Sequence, residues 1–381
     1  MRRKPLVFFA VLLAAGLVAT VAGALLDPRR LWFSWLAAFA FAVSTAAGAL
    51  VLVAIAHAVR ARWFAAVRRL AEIPMAALPI FLVLLVPILV GVGALYPWVH
   101  PDPSLPATEL AAIEHRRGWL NPAFFAVRSV VWVGLWSIFA VVLGRWSLRQ
   151  DASLDAALQG KLFRASAAAL PLLALSITFA SFDWLMSLQP GWLSTVFGIY
   201  WFSGGFAGAL GLLAILLPLV GGEQRLENHR IAVGKLLLSM VIFWAYIAFM
   251  QLLLIWIADL PHEIDFFRRR SEGAWAPVTT VLALVHFVVP FLLLLSRALK
   301  KSARSLAVIG GIVLVGHWID SWWLVLPVLD AEGPVLHLLD FGALATVAGA
   351  AGLFATWRLG DAQLFASGDP FFAHALRYRG S

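Results

Sequence analysis

Apolar runs of about 20 residues recur along the whole chain, beginning with "LVFFAVLLAAGLVATVAGALL" at 6–26. A run of that length crosses the hydrocarbon core of a bilayer as one helix. Ten such runs occupy about 6–26, 31–59, 74–99, 122–143, 165–188, 192–219, 232–258, 276–297, 305–329 and 334–357. They leave no room for a separate soluble domain, so residues 1–381 read as one integral-membrane domain. The runs are apolar on every face, whereas barrel strands alternate. Helices also satisfy their own backbone groups, which hydrocarbon cannot. The expected fold is an all-α polytopic membrane protein.

The bulk composition agrees, with 62% hydrophobic residues where a soluble domain has about 45–50%. The net charge of +9 would suggest nucleic acid in a soluble protein, but here the basic residues fall in short loops. By position, 21 of the 29 Lys and Arg lie on one side: residues 2–4, 60–69, 145–164, 225–235, 297–304 and 358–379. Seven lie on the other (Arg29, Arg30, Arg116, Arg117, Arg268, Arg269, Arg270), and Arg128 is inside span four. The positive-inside rule then predicts both termini in the cytoplasm. Trp32, Trp35, Trp98, Trp119, Trp192 and Trp275 fall where an outer aromatic belt is expected. "RRK" before the first span imitates a signal peptide, but its apolar run is longer than a usual h-region, so an uncleaved anchor is expected. With no cysteine, the chain offers no disulfide, no thiolate-ligated iron–sulfur cluster and no Cys-attached haem.

A charge deep in a span costs at least about 2.5–3.5 kcal/mol, so it faces protein or a water-filled cavity. Arg128, Asp183, His286, His317, Asp320, His337 and Asp340 are such residues. "HWID" and "HLLD" place His317 with Asp320, and His337 with Asp340, at i,i+3 on one helical face. Each pair suggests a His–carboxylate hydrogen bond suited to proton relay, or else a structural tie between spans nine and ten. Asp183 lies about 8 Å inside its span end at 1.5 Å per residue, within reach of Arg128 on the preceding span. Arg128 neutralises Asp183 on one reading and snorkels outward on the other. His286 and His317 share a depth, so a bis-His haem is conceivable, but Asp320 one turn from His317 suits a proton network better. His57 and Lys235, near span ends, are expected to snorkel. The connections 100–121, 144–164 and 259–275 are the expected docking surfaces for partners.

Four segments resemble a known family: "HRRGWLNPAFFAVR" (115–128), "SFDWLMSLQPGWLSTVFGIYWFSG" (181–204), "GKLLLSMVIFWAYIAFMQLLLIWIADLPHEIDFFRRRSEGAW" (234–275) and "GHWIDSWWLVLP" (316–327). They are similar to the ActF-type membrane subunit of alternative complex III, a bacterial quinol:electron-acceptor oxidoreductase, within the wider NrfD/polysulfide-reductase group. The resemblance implies two four-helix bundles (spans two to five and six to nine), with spans one and ten peripheral. It implies a multi-pass subunit of the bacterial cytoplasmic membrane, with iron–sulfur and c-type haem subunits and a second NrfD-like subunit as partners. It also implies a proton path and quinone or quinol as the small molecule in contact. Arg128, Asp183 and Asp320 fall on the family motifs, while "AVGK" (232–235) stands where the family usually reads "DLGK". A purely structural anchor and an ion-coupled transporter are the rival readings.

Overall fold

The computed structural model describes residues 3–104, 107–153, 155, 157–220 and 226–380, apart from the side chains at 109, 261 and 262. Arg2 and Arg225, both part of the orientation pattern, lie outside the described residues. Ten helices among the described residues are long and apolar enough to cross a membrane. They run Arg3–Leu26, Pro28–Ala58, Arg68–Val90, Pro122–Ser153, Ala157–Leu188, Phe197–Val220, Glu227–Ala258, Gly273–Leu295, Ala303–Val328 and Leu338–Leu359, taken below as spans one to ten. No strand occurs among the described residues.

Span two is the axis of the molecule. Its sequence is rich in Ala, Gly and Ser, and 83% of its most apolar stretch is buried. It packs against spans three, five, six, nine and ten. Lipid tails give no hydrophobic drive for helices to associate, so small residues that let backbones approach closely hold such interfaces. Gly48 and Gly205 show this: a Cβ on Gly48 would stand 2.6 Å from the Gly205 carbonyl oxygen. Spans six, seven, eight and nine contact one another in a second group, and span six joins that group to span two. Span one pairs with span ten at the periphery and is largely lipid-exposed.

Proline explains where a span departs from its sequence reading. Span three, expected over 74–99, starts at Arg68 and ends at Val90. Pro74, Pro79 and Pro87 remove backbone donors, so the helix tightens to a 3-10 turn at Leu78–Ile80 and continues in short pieces. Its early start reflects a buried ionic knot in which Arg68 pairs with Glu72 and Asp369, and Arg69 with Glu72 and Asp151. Those two arginines, read as loop charges, instead tie span three to its neighbours: Arg68 to the C-terminal segment and Arg69 to the end of span four.

Other expectations change similarly. Trp35, Trp98, Trp192 and Trp275 are buried in protein rather than facing a lipid interface. Two of their indoles satisfy carbonyls of neighbouring segments: Trp35 donates to Leu84 O at 2.9 Å and Trp275 to Asp330 O at 2.7 Å. His57 is buried rather than snorkelling, whereas Lys235 is exposed. The connections 100–121 and 259–275 contain helices at Ala107–His115 and Pro261–Ser271. Arg270 on the latter is buried and donates to the Trp323 and Leu324 carbonyls at 3.1 and 2.9 Å. Pro327 has no N–H to offer Trp323 O, so Arg270 caps the broken end of span nine.

Candidate functional site

The seven intramembrane residues fall into three groups, with no hydrogen bond or ion pair between groups among the described residues. In the first, Asp183 at the end of span five is fully buried and accepts from four N–H donors, one of them shared between its two oxygens. Arg128 donates through Nη2 to Oδ1 at 2.8 Å and through Nε to Oδ2 at 3.0 Å. Trp119 Nε1 reaches Oδ1 at 3.0 Å and Trp132 Nε1 reaches Oδ2 at 3.1 Å. The guanidinium sits in the corner formed by the rings of Trp119 and Phe124, 4.1 and 4.2 Å from their centroids. Arg128 therefore neutralises Asp183 and does not snorkel. Nearby, Arg116 donates to the carbonyl of Pro190 in the turn after span five, and burial lowers the Arg116 pKa from its ordinary value.

The second group is a helix start. The spacing of His337 and Asp340 suggests a ring–carboxylate bond, but the two form a capping box instead. His337 Nδ1 accepts from Leu339 N at 3.2 Å, and Asp340 Oδ2 accepts from His337 N at 3.0 Å. Span ten begins at Leu338, so the pair sits at the orphan-donor positions of the helix rather than within it. Asp340 is further held by Ser34 at 2.6 Å and Arg30 at 3.2 Å, and Arg30 also pairs with Asp330.

His286, His317 and Asp320 form the third group, enclosed by spans two, six, seven, eight and nine. His317 and Asp320 do not bond each other as their spacing suggests, because each is taken by a different helix. His317 Nε2 pairs with Ser44 Oγ of span two at 2.8 Å. The Asp320 Oδ1 atom accepts from the Tyr200 hydroxyl of span six. Gly204, one turn after Tyr200, permits this meeting: a Cβ there would lie 2.9 Å from His317 Nδ1 and 3.4 Å from Asp320 Oδ2. His286 stands on a π-helical turn, Ala283–Val288, just before Pro290. Such turns are frequent at functional sites. Its ring stacks on Trp244 at 4.2 Å and meets His317 edge-on at 6.0 Å.

This third group holds the most unsatisfied buried atoms of the three. Both ring nitrogens of His286, His317 Nδ1, Asp320 Oδ2 and Trp244 Nε1 are buried and make no hydrogen bond of good length and angle, although Trp244 stands within reach of Asp320 and Tyr200, and His286 of the Gly316 backbone. Unsatisfied buried polar atoms are costly, so a cluster of them beside a cavity marks the candidate site for proton, water or ligand chemistry. A cavity of about 550 Å³ adjoins the cluster, lined by Tyr200, Trp244, Phe266, Phe267 and Trp323 and bordered by Tyr246 and Phe249. The last two are exposed on the flank of span seven, so the cavity opens on the side of that helix. Tyr200 and Trp244 thus belong to both the cavity wall and the polar cluster. Sequence reasoning passed over Tyr200, Trp244 and Ser44 because neutral side chains do not register as charge inside a span. Tyr200, one of only four tyrosines, was the available signal.

Compared with known families and curated proteins, the chain matches no family model and no curated sequence. Fold and site together define a polytopic, all-helical membrane protein with a buried His–Asp–Tyr cluster beside a lateral apolar cavity.

Proposed function

We propose that the chain is a haem-free integral subunit of a quinol:electron-acceptor oxidoreductase of the alternative complex III kind, in the bacterial cytoplasmic membrane, contacting quinol in the lateral cavity. The carrying observation is Tyr200, which lines the cavity and donates its hydroxyl to Asp320. A phenol so placed can accept a proton from a quinol hydroxyl while passing its own to the carboxylate. The His317–Ser44 pair stands beside this couple without a hydrogen bond to it. Oxidation of a quinol releases two protons and two electrons. The electrons go to iron–sulfur and haem centres of partner subunits, since this chain has no cysteine to hold a cluster. The apolar wall suits an isoprenoid tail, and the opening toward lipid suits a ligand that diffuses in the bilayer.

Asp183 and Asp340, read from sequence as proton-path residues, have no part in this route: their oxygens are committed to Arg128, Arg30 and neighbouring donors. These saturated pairs favour a second reading, a structural anchor with the chemistry elsewhere in the complex. Photolabelling separates the two. A photoreactive quinone analogue should label span seven near Ala245–Phe249 in the purified complex, in competition with quinol. Labelling confined to other subunits contradicts the quinol contact and leaves the anchor.

A further inference from the structure

We infer that a pocket between spans three, four and ten binds the phosphate of an anionic phospholipid, from the leaflet at the end of the molecule where Arg145 and Arg358 lie. The pocket holds about 400 Å³ and has an apolar floor that includes Met75, Pro79, Val141 and Phe354. Arg145 and Arg358 both line it, and Arg145 is near enough for its charge to bear on Arg358. Two like charges beside an apolar trough repel unless an anion lies between them.

Among the described residues, no carboxylate is hydrogen-bonded to or paired with either arginine. Arg145 is exposed and has no hydrogen bond or ion pair among the described residues. Arg358 spends only Nη1, on Ala76 O at 3.1 Å. That bond caps span three where its α-helix gives way to the 3-10 turn, and it leaves Nε and Nη2 uncommitted. Glu72 touches the pocket, but its carboxylate is taken by Arg68, Arg69 and Ser147.

The depth selects a lipid as the source of the phosphate. Arg358 is one residue from the end of span ten, and Arg145 directly follows the apolar run of span four, so both stand at headgroup level. Trp357, two-thirds exposed beside them, is the residue type that favours this interface. Basic pockets between helices are a recognised way to hold anionic headgroups. The arginine forks meet the phosphodiester, and the trough takes the first methylenes of an acyl chain.

Native mass spectrometry of the full chain, released from neutral detergent with added phosphatidylglycerol, tests the inference. Wild type should retain one tightly held phosphatidylglycerol. Arg145→Gln should weaken that retention about fivefold, corresponding to ~1 kcal/mol for one arginine at the surface. Arg145→Gln with Arg358→Gln should remove it, and phosphatidylcholine should be held no better than the double variant holds phosphatidylglycerol. Because Arg145 makes no protein bond, its single variant carries the test even if loss of the Ala76 cap unsettles the double one. Equal phosphatidylglycerol retention by wild type and Arg145→Gln overturns the inference, as does equal retention of phosphatidylcholine. Displacement by millimolar inorganic phosphate would make this a soluble-phosphate site and overturn the lipid assignment.

Discussion

Arg128 and Asp183 form a buried ion pair across spans four and five, with Nη2 2.8 Å from Oδ1 and an indole N–H on each carboxylate oxygen. Breaking a buried pair by removing one partner strands a charge and costs about 3–5 kcal/mol, whereas removing both can be nearly neutral. Arg128→Met should therefore lower the unfolding midpoint of the purified chain strongly, and adding Asp183→Leu should restore part of it. A double variant worse than the sum of its singles would contradict an ion-pair lock.

The capping box at span ten predicts a graded response. His337→Ala loses one cap and should cost about 0.5–2 kcal/mol. Asp340→Ala also takes from buried Arg30 one of its two carboxylate partners, leaving Asp330, and should cost more. Denaturation of both variants measures this. With assembly intact, neither should alter the proton-to-electron ratio of the complex, and a changed ratio would return this pair to the proton route.

Arg270→Lys keeps the charge but loses the planar fork that reaches Trp323, Leu324 and Gln189 together. Carbonyls left without donors cost about 1–3 kcal/mol each when buried. The variant should unfold at lower temperature and should expose the end of span nine to hydrogen exchange. Protection there equal to wild type would show that Arg270 is not the cap.

Much of the fold was legible in the sequence, because the ten helices follow from apolar length alone. The ends were harder to read. Arg68, Arg69 and Arg270 look like loop charges, yet they are buried where proline-broken helices and the C-terminal segment need donors. The site was half legible. Intramembrane charge identified Asp320, His317 and His286, and consecutive spans correctly suggested Arg128 with Asp183. Spacing misled for both His–Asp pairs, since i,i+3 neighbours share a face but do not choose each other when another helix offers a better partner. Ser44 and Tyr200 are those partners, and they come from distant sequence.

Gly204→Ala tests how closely the cluster is packed. The added methyl would press on His317 Nδ1 and Asp320 Oδ2, a small-to-large change costing about 1–3 kcal/mol. Assembled complex carrying it should oxidise quinol more slowly at unchanged subunit content. Wild-type turnover would mean that the geometry at Gly204 is not part of the working site.

The central claim is that Tyr200 conducts protons between the lateral cavity and Asp320. Steady-state quinol oxidation by the intact complex carrying Tyr200→Phe tests it most directly, because the change removes one hydroxyl and keeps the ring that lines the cavity. Turnover should fall by about 10²-fold, the lower end for a positioned proton-transfer group. Subunit content should stay unchanged, and Asp320→Asn should give a similar loss. Wild-type turnover and proton release in an intact Tyr200→Phe complex would contradict the account and leave the chain as an anchor.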